Sequence, residues 1–287
     1  MYASKHDSPA RKANTSMDVE VVEPHGFCAG VTGALRKALS IADRPVYCLH
    51  ELVHNELVVA QLAARGFVFV DGLEEVPDGA TVLFSAHGVG PDVRSAAEAR
   101  GLKVVDATCP FVTRVHRSAR SFAESGLPVV IVGKASHAEV RGILGEVPDA
   151  QVVGTAEEAR AIPLRGARIG VVSQTTMNAD EVREIVDVLR ERSEVETMAD
   201  VCGATKERQD AVKAFDGDAL LVLGSANSSN TRRLCEVARC RTFRAGTMDE
   251  VRALDLSGVK RLGLTSGAST PEDFFTAVLR ELEGRKQ

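Results

Sequence analysis

Three cysteines have sequence surroundings typical of metal ligands and catalytic thiols. Cys28, Cys109 and Cys202 each follow a short strand-like run and precede a segment that is predicted to be helical. Pro110, directly after Cys109, suits a first helical position because its φ is fixed and it has no N–H. A thiol at a helix start faces the positive end of the helix dipole, which favours the thiolate. We therefore expect thiolates here that bind a metal, an electrophile or a disulfide partner.

The composition predicts a protein of the cytoplasm. The chain has 287 residues, a formal net charge of −5 and a pI near 5.9, so it offers no basic surface for nucleic acid or an anionic membrane. It has no apolar run long enough to span a membrane, and residues 1–17 are predicted to be a disordered tail without a signal peptide. Disulfides are disfavoured in a reducing compartment, which leaves metal binding, catalysis or burial for the six cysteines.

The elements that must position the cysteines form a repeating pattern. Strand–loop–helix units recur nine times and fall into three sets of three, and the first unit of each set carries one of the three cysteines. The predicted first strands are 19–22, 103–106 and 197–201. The second and third units lead into polar loops at 54–55, 85–88, 137–139, 173–176, 228–230 and 265–269.

Strands that alternate with helices predict parallel sheets whose two faces are both covered. We expect an α/β fold of three similar modules in a pseudo-threefold, trefoil arrangement, with limits at 18–108, 109–201 and 202–287. The sequence shows no Pro/Ser-rich linker between them, which favours modules closed around a shared centre. Ligands of such folds bind beyond the carboxyl ends of the strands, where all nine loops lie.

Three thiolates brought together from three modules would form a ligand set with an open fourth position. Thiolates favour zinc or iron–sulfur clusters. A structural zinc site is normally closed by a fourth Cys or His, whereas a [4Fe–4S] cluster on three cysteines leaves one iron free for another ligand. The alternative is three unrelated buried cysteines, since free Cys is among the most buried residue types. Burial is also our interpretation of Cys48, Cys235 and Cys240.

The segment from His50 to His54 matches H-E-x-x-H, the zinc-hydrolase pattern. That chemistry requires both histidines on one face of a helix. Residues 45–49 instead predict a strand that runs into His50, and no H-x-x-G-x-x-H extension follows. The sequence therefore disfavours a zinc hydrolase.

Seven motifs, in unbroken order from about Val19 to Leu282, resemble the LytB family of 4-hydroxy-3-methylbut-2-enyl diphosphate reductases. They are Pro24–Val31, His50–Asn55, Phe84–Val89, Val105–Pro110, Gln174–Thr176, Asn227–Asn230 and Thr265–Pro271. Several such motifs together, over nearly the whole chain, make the resemblance specific.

The resemblance implies the last step of the non-mevalonate isoprenoid pathway. In that reaction a two-electron reductive dehydroxylation converts (E)-4-hydroxy-3-methylbut-2-enyl diphosphate into isopentenyl and dimethylallyl diphosphates. It also implies an oxygen-sensitive [4Fe–4S] cluster on Cys28, Cys109 and Cys202, at the centre of the three modules. Ferredoxin or flavodoxin is implied as the electron donor.

Residue roles follow from the resemblance in the same way. Glu139 resembles the family's proton donor, and Thr175 its partner near the substrate hydroxyl. The implied substrate contacts are His54, His87, His137, Thr175, Ser228, Ser229, Asn230 and Ser269. This set contains no Lys or Arg, but hydroxyls, amides and helix N-terminal N–H groups can hold an anion, and histidines can adjust their protonation to it.

Two departures from the family pattern leave other functions open: His25 stands where Arg is familiar, and Gly203 where an aromatic residue is common. One alternative is a paralogue that reduces a different allylic or aryl alcohol in secondary metabolism. Another is a non-redox lyase or hydratase that uses the open iron only as a Lewis acid. A third is a sensor that binds a diphosphate without converting it, against which Glu139 argues.

Overall fold

Short runs rich in valine, leucine and phenylalanine form the strands of this protein. The computed structural model describes residues 17–164, 168–197 and 201–284. Within these residues the strands are β1 (Asp18–Val21), β2 (Val46–Leu49), β3 (Phe67–Val70), β4 (Thr81–Phe84), β5 (Lys103–Asp106), β6 (Val129–Val132), β7 (Gln151–Val153), β8 (Arg168–Ser173), β9 (Glu194–Thr197), β10 (Ala219–Leu223), β11 (Arg241–Ala245) and β12 (Arg261–Ser266).

The strands form three four-stranded parallel sheets of one topology. Their orders are β3-β2-β4-β5, β7-β6-β8-β9 and β11-β10-β12-β1. The inner strands β4, β6 and β10 are buried along their whole length, as expected for parallel strands covered on both faces. Three copies of one parallel sheet confirm the predicted α/β fold of three similar modules, and the trefoil arrangement fits them.

Strand β1 belongs to the third sheet and not to the first. It pairs with β12, with Asp18 opposite Arg261 and Val21 opposite Leu264. In the first sheet β5 already occupies the equivalent edge, and so β1 adds to the free edge of the third sheet. The first strand of the predicted module 18–108 is therefore part of another module's sheet. The predicted limits near 109 and 202 fall between the strands of successive sheets.

Two details of the strand prediction are wrong. The prediction of nine strands omits β3, β7 and β11, which are outer strands with partly exposed side chains. Polar residues weaken the apolar pattern of β7 and β11, whereas β3 is entirely apolar. The strand predicted at 197–201 is β9, which ends at Thr197. Residues 198–200 lie outside the described residues.

Helices cover both faces of each sheet. They are α1 (Ala29–Ser40), α2 (Glu56–Ala63), α3 (Pro91–Ala99), α4 (Pro110–Glu124), α5 (Ala138–Glu146), α6 (Ala156–Ala161), α7 (Ala179–Arg190), α8 (Gly203–Ala214), α9 (Ser229–Val237), α10 (Met248–Arg252) and α11 (Glu272–Gly284), with a 3-10 turn at Leu73–Glu75. On the second sheet, for example, Phe122 of α4 and Ile185 of α7 belong to separate apolar clusters. The apolar contacts on both faces hold each helix in place against its sheet.

Helices α1, α4 and α8 begin at the three cysteines. Cys28, Cys109 and Cys202 are their N-cap residues, and none of the three side chains makes a capping hydrogen bond. Several other helices are capped in the usual way. For example, the Asn55 side chain accepts hydrogen bonds from the N–H groups of Leu57 and Val58. The thiol of Cys202 instead lies 3.1 Å from the Thr205 hydroxyl.

No helix in the described part of the chain is both long and apolar enough to cross a membrane. The predicted tail at residues 1–17 lies, apart from Met17, outside the described residues.

Candidate active site

The three N-cap cysteines line one cavity, which we call the central cavity. Gly30 leaves room for the thiols of Cys28 and Cys109. A Cβ on Gly30 would lie 2.6 Å from the Sγ of Cys109 and 3.8 Å from the Sγ of Cys28. The thiol of Cys202 reaches the same cavity from the start of α8. All three cysteines are free of disulfides. The structure thus brings together side chains from three different sheet edges.

Burial, and not the helix dipole, dominates the acidity of two of the three thiols. Burial raises the pKa of Cys109 and that of Cys202. The N–H groups of Phe111 and Val112 at the start of α4 lower the pKa of Cys109, but by less than burial raises it. Burial therefore opposes the bias toward thiolate that a helix start gives these two cysteines. A metal deprotonates its thiol ligands, and so a bound metal would favour the thiolate here.

The donor set fits a cluster better than a single metal ion. In residues 17–164, 168–197 and 201–284, no three His, Cys, Asp or Glu side chains are placed to hold one ion, and zinc requires sulfur ligands at about 2.3 Å. Three cysteines that line one cavity without being placed to hold a single ion suit an iron–sulfur cluster, in which each cysteine binds its own iron. The described wall of the cavity contains no fourth cysteine. A cluster held here would therefore have three cysteine ligands among the described residues.

Three histidines lie together in the wall of the same cavity. His54 follows β2, His87 follows β4, and His137 is the N-cap residue of α5. The ring centroids of His54 and His87 are 4.3 Å apart, and those two rings lie 5.4 and 5.6 Å from the ring of His137. The first and second sheets together therefore present one imidazole surface to a ligand.

Burial keeps two of these imidazoles neutral. It lowers the pKa of His87 well below the ordinary value, and it lowers the pKa of His137 to about 4. The charge of His54 acts in the same direction on both rings, and the charges of Arg232 and Arg141 add to the effect on His137. A bound anion would reverse this balance, and so its binding should be accompanied by proton uptake.

Several buried polar atoms in the cavity wall have no partner among the described residues. The Nδ1 atom of His137 accepts a hydrogen bond from the N–H of Glu139 at 3.2 Å, which places the proton of a neutral ring on Nε2. This Nε2 is buried and unpartnered, as are both side-chain polar atoms of Asn230. Buried polar groups in native proteins normally find partners. These atoms are therefore available to a polar ligand.

Serine side chains add to this polar wall. Ser228 is the N-cap residue of α9 and accepts a hydrogen bond from the N–H of Thr231 at 3.3 Å, and Ser229 and Asn230 lie in the first turn. The hydroxyl of Ser269, after β12, donates to the carbonyl of His54 at 3.1 Å. The first-turn N–H groups of a helix have no intrahelical partner, and so this wall suits an anion.

Glu139 is a buried carboxyl group held by one neighbour. The residue is only 2% exposed. Its two oxygens accept hydrogen bonds from the N–H of Thr175 at 2.7 Å and from the Thr175 hydroxyl at 3.0 Å. Burial raises the pKa of Glu139 to about 7, although both hydrogen bonds lower it. A carboxyl group with this pKa can hold and release a proton near neutral pH.

The central cavity contains every predicted site residue: Cys28, His54, His87, Cys109, His137, Glu139, Thr175, Cys202, Ser228, Ser229, Asn230 and Ser269. Their roles in binding and catalysis stay predictions. His116 is buried outside this cavity, with its Nδ1 atom 3.2 Å from Glu146.

Sequence reasoning missed two residues that orient His54. The Nδ1 atom of His54 lies 3.0 Å from Glu51, whose pKa is lowered mainly by this hydrogen bond, so the ionised carboxylate receives the ring N–H. The Asn227 amide donates to the same carboxylate at 3.0 Å. Both residues lie in the motifs that carry the family resemblance. Their pairing across modules is a tertiary contact that no local pattern reveals.

The H-E-x-x-H segment is a loop and not a helix. Strand β2 ends at Leu49, and α2 begins only at Glu56. His50 has a φ of +59°, and its Nδ1 atom lies 3.8 Å from Asp71. The two histidines of this segment therefore do not share a helical face. This agrees with the strand that the sequence predicts up to residue 49.

A second, outer cavity adjoins the histidines, and we call it the vestibule. His54 and His137 line both cavities, and the vestibule wall also carries Lys134, Arg141 and Arg232. In the described part of the chain none of these three cations has a carboxylate within 4.0 Å. These three residues belong to none of the matched motifs, so no sequence pattern indicates them.

Known proteins share this sequence pattern and this fold. The family described as "LytB protein" matches residues 19–283. The chain belongs to the LytB family. The 4-hydroxy-3-methylbut-2-enyl diphosphate reductase of Acidithiobacillus ferrooxidans is 41% identical over 93% of this chain and 89% of that protein. The reductase of the same name from Acidothermus cellulolyticus is 44% identical over 93% of this chain and 83% of that protein.

Solved structures of LytB-type reductases agree with this assignment. The E-1-hydroxy-2-methyl-but-2-enyl-4-diphosphate reductase of Plasmodium falciparum superposes with a TM-score of 0.87 at 30% identity, over 93% of this chain and 88% of that chain. A second reductase, described as the terminal enzyme of the non-mevalonate pathway, has a TM-score of 0.66 at 34% identity, over 92% of this chain and 99% of that chain. The resemblance predicted from the seven motifs is thereby confirmed.

Substitution of Gly30 tests whether the cysteines must approach one another as closely as the structure shows. In Gly30→Ala the new methyl group would lie 2.6 Å from the Sγ of Cys109 and displace it. We expect the anaerobically purified variant to lose most of its bound iron. The matched control is Gly203→Ala, which also follows a cysteine at a helix start but whose Cβ would have no neighbour within 4 Å. Equal iron contents in the two variants would contradict the expectation.

The pKa of Glu139 predicts a pH-dependent contribution to stability. Because this pKa is raised in the folded protein, the folded state keeps a proton that the unfolded state loses between about pH 4.5 and about pH 7. The stabilising contribution is full below that interval and falls by about 3 kcal/mol across it as the pH rises. Chemical denaturation of wild type and Glu139→Gln, which cannot ionise, should show their stability difference changing by this amount. A difference that is constant with pH would contradict the raised pKa.

Proposed function

We propose that this protein reduces (E)-4-hydroxy-3-methylbut-2-enyl diphosphate to isopentenyl and dimethylallyl diphosphates, the last step of the non-mevalonate isoprenoid pathway. The reaction takes up two electrons and two protons, breaks the allylic C–O bond, forms a C–H bond and releases water. One observation carries the proposal: a single cavity combines three free thiols, three histidines and a buried carboxyl group with a pKa of about 7. The names of its bacterial relatives support the same reaction.

In this proposal Cys28, Cys109 and Cys202 hold a [4Fe–4S] cluster. When bound, the cluster supplies electrons one at a time and an iron without a protein ligand that acts as a Lewis acid. A ferredoxin or flavodoxin is the proposed one-electron donor. The proposed compartment is the cytoplasm, where thiols stay reduced.

The diphosphate is proposed to lie against the three histidines and the start of α9. The Nε2–H of His137 and the Asn230 amide are buried donors without partners, and the hydroxyls of Ser228, Ser229 and Ser269 line the same wall. Hydrogen bonds to a charged ligand are strong in a cavity from which water is excluded. Proton uptake by the histidines then matches the charge of the ligand.

Glu139 is proposed to give a proton to the departing hydroxyl group. With a pKa of about 7 it is protonated in a large fraction of molecules at neutral pH and still acidic enough to transfer the proton. The Thr175 hydroxyl lies 3.0 Å from the carboxyl group and lines the cavity, so it can orient the substrate hydroxyl or relay the proton. The second proton of the reaction ends on carbon.

The alternatives raised by the sequence have less support. A paralogue with another substrate rests on His25 and Gly203, but neither residue lines the central cavity. The His25 ring stacks on Phe275 with centroids 3.7 Å apart, and Gly203 borders open space. A non-redox lyase would turn over without a reduced donor, and a sensor would bind without turnover. A single assay distinguishes both alternatives from a reductase.

That assay is anaerobic incubation with a reduced one-electron donor and the hydroxymethylbutenyl diphosphate, with products identified by mass spectrometry. We expect both isoprenoid diphosphates from the wild type and none from Cys109→Ser, which lacks a cluster ligand. Glu139→Gln keeps the shape but cannot donate a proton, so its kcat should fall by about 10²–10⁴-fold with little change in KM. Turnover without donor, or a cluster-loaded protein inert toward this substrate, would refute the proposed reaction.

The cations of the vestibule predict electrostatic steering of the anionic substrate. Neutralising all three, as Lys134→Gln/Arg141→Gln/Arg232→Gln, should lower kcat/KM by about tenfold at low ionic strength and flatten its salt dependence, while kcat changes little. A matched control is Arg183→Gln/Arg190→Gln/Arg252→Gln, which removes the same charge from exposed ion pairs outside both cavities. Equal effects of the two triple variants would show that only net charge matters.

A further inference from the structure

Arg208 carries a buried positive charge without a carboxylate partner. It lies in α8, the helix that begins at Cys202, and is 4% exposed. Its Nη1 donates to the carbonyl of Ala204 and its Nη2 to the carbonyl of Gly26, both at 3.0 Å, and its Nε is buried without a hydrogen-bond partner. No described carboxylate lies within 4.0 Å of the guanidinium. Carbonyl groups solvate the charge only in part.

Arg233 shows how this protein otherwise accommodates a buried arginine. It is also buried, and its Nη1 lies 3.0 Å from Glu181 and 2.6 Å from Glu236. Removing a charge from water costs free energy that an opposite charge must offset. Arg208 therefore requires a negative group that the neighbouring carboxylates do not supply.

The cysteines are the negative groups that act most strongly on Arg208. Burial lowers the pKa of Arg208, and the negative charges of Cys28 and Cys202 oppose this before those of Glu207 and Glu23. Cys28 and Cys202 are proposed ligands of the cluster, and metal binding holds ligand thiols as thiolates. A cluster on these residues would therefore supply negative charge next to the segments that Arg208 contacts.

The position of Arg208 links two of the three ligand loops. Its Nη2 contacts the carbonyls of His25 and Gly26, just before Cys28, at 3.4 and 3.0 Å. Its Nη1 bonds within the first turns of the helix that begins at Cys202. A single guanidinium therefore lies between the segments that present Cys28 and Cys202.

We propose that Arg208 is the fixed countercharge of the cluster and raises its reduction potential. A [4Fe–4S] cluster on three thiolates is anionic, and reduction adds a further negative charge. A nearby guanidinium, which does not lose its proton under working conditions, stabilises the reduced form more than the oxidised form. The inference rests on the proposed function only through the presence of the cluster, and not on the identity of the substrate.

The midpoint potential of the substrate-free, cluster-loaded protein tests this role, measured by a redox titration followed by electron paramagnetic resonance. Arg208→Gln removes the charge but keeps an amide donor. We expect it to disfavour one-electron reduction about tenfold, which is a fall of about 59 mV. Arg208→Lys keeps the charge and should stay within about threefold of the wild type. Lys206→Gln removes an exposed charge, paired with Asp210, from the same helix and should change the equilibrium less than about twofold.

Each outcome bears on the proposal. Equal potentials in wild type and Arg208→Gln would overturn it. So would a fall in Arg208→Lys as large as in Arg208→Gln, because the planar hydrogen-bond geometry and not the charge would then matter. If Arg208→Gln does not retain iron, the iron and sulfide contents of Arg208→Lys decide: retention supports the countercharge and loss overturns it. A wild-type protein without an iron–sulfur signal would refute the cofactor itself, at an earlier and separate measurement.

Discussion

Burial of titratable groups away from charged partners governs the chemistry of the central cavity. It raises the pKa of Glu139 to about 7 and lowers the pKa values of His87 and His137. One cause acts in opposite directions on acids and bases because it always disfavours the charged form. Near neutral pH the Glu139 carboxyl group is therefore partly protonated, and the rings of His87 and His137 are uncharged. A reaction that adds protons and electrons to an anion can use both features.

The topology of the sheets makes this cavity a property of the whole chain. Each cysteine follows the edge strand of a different sheet, and β1, which precedes Cys28, is the edge of the sheet built by the last part of the chain. The N-terminal ligand loop is thus fixed by C-terminal strands. Incomplete folding of any one sheet would remove a cysteine, together with the histidine or serine loops of that sheet. Ligand binding and folding of all three modules are therefore expected to be coupled.

The sequence predicts the features that have a local cause. Alternating strands and helices predict the parallel sheets, and the residue types at strand ends predict the loops that meet in the cavity. The helix dipole at Cys109 is also local, but burial outweighs it, and burial depends on everything packed around the thiol. For the same reason no sequence pattern indicates the contact of Asn227 with Glu51 or the missing partner of Arg208. The sheet that β1 joins depends on which sheet edges remain free in the folded protein, which no local pattern indicates.

The positions of the lysine and arginine side chains fit the proposed reaction. Lys134, Arg141 and Arg232 lie in the vestibule, and no Lys or Arg belongs to the described wall of the central cavity. Substrate and products carry the same diphosphate, and a fixed cation beside it would bind all three equally, which does not accelerate the chemical step. Arg208 instead lies between the segments of two cysteines, the proposed ligands of the cluster, whose charge would change on reduction. A fixed cation is useful there because it favours one redox state over the other.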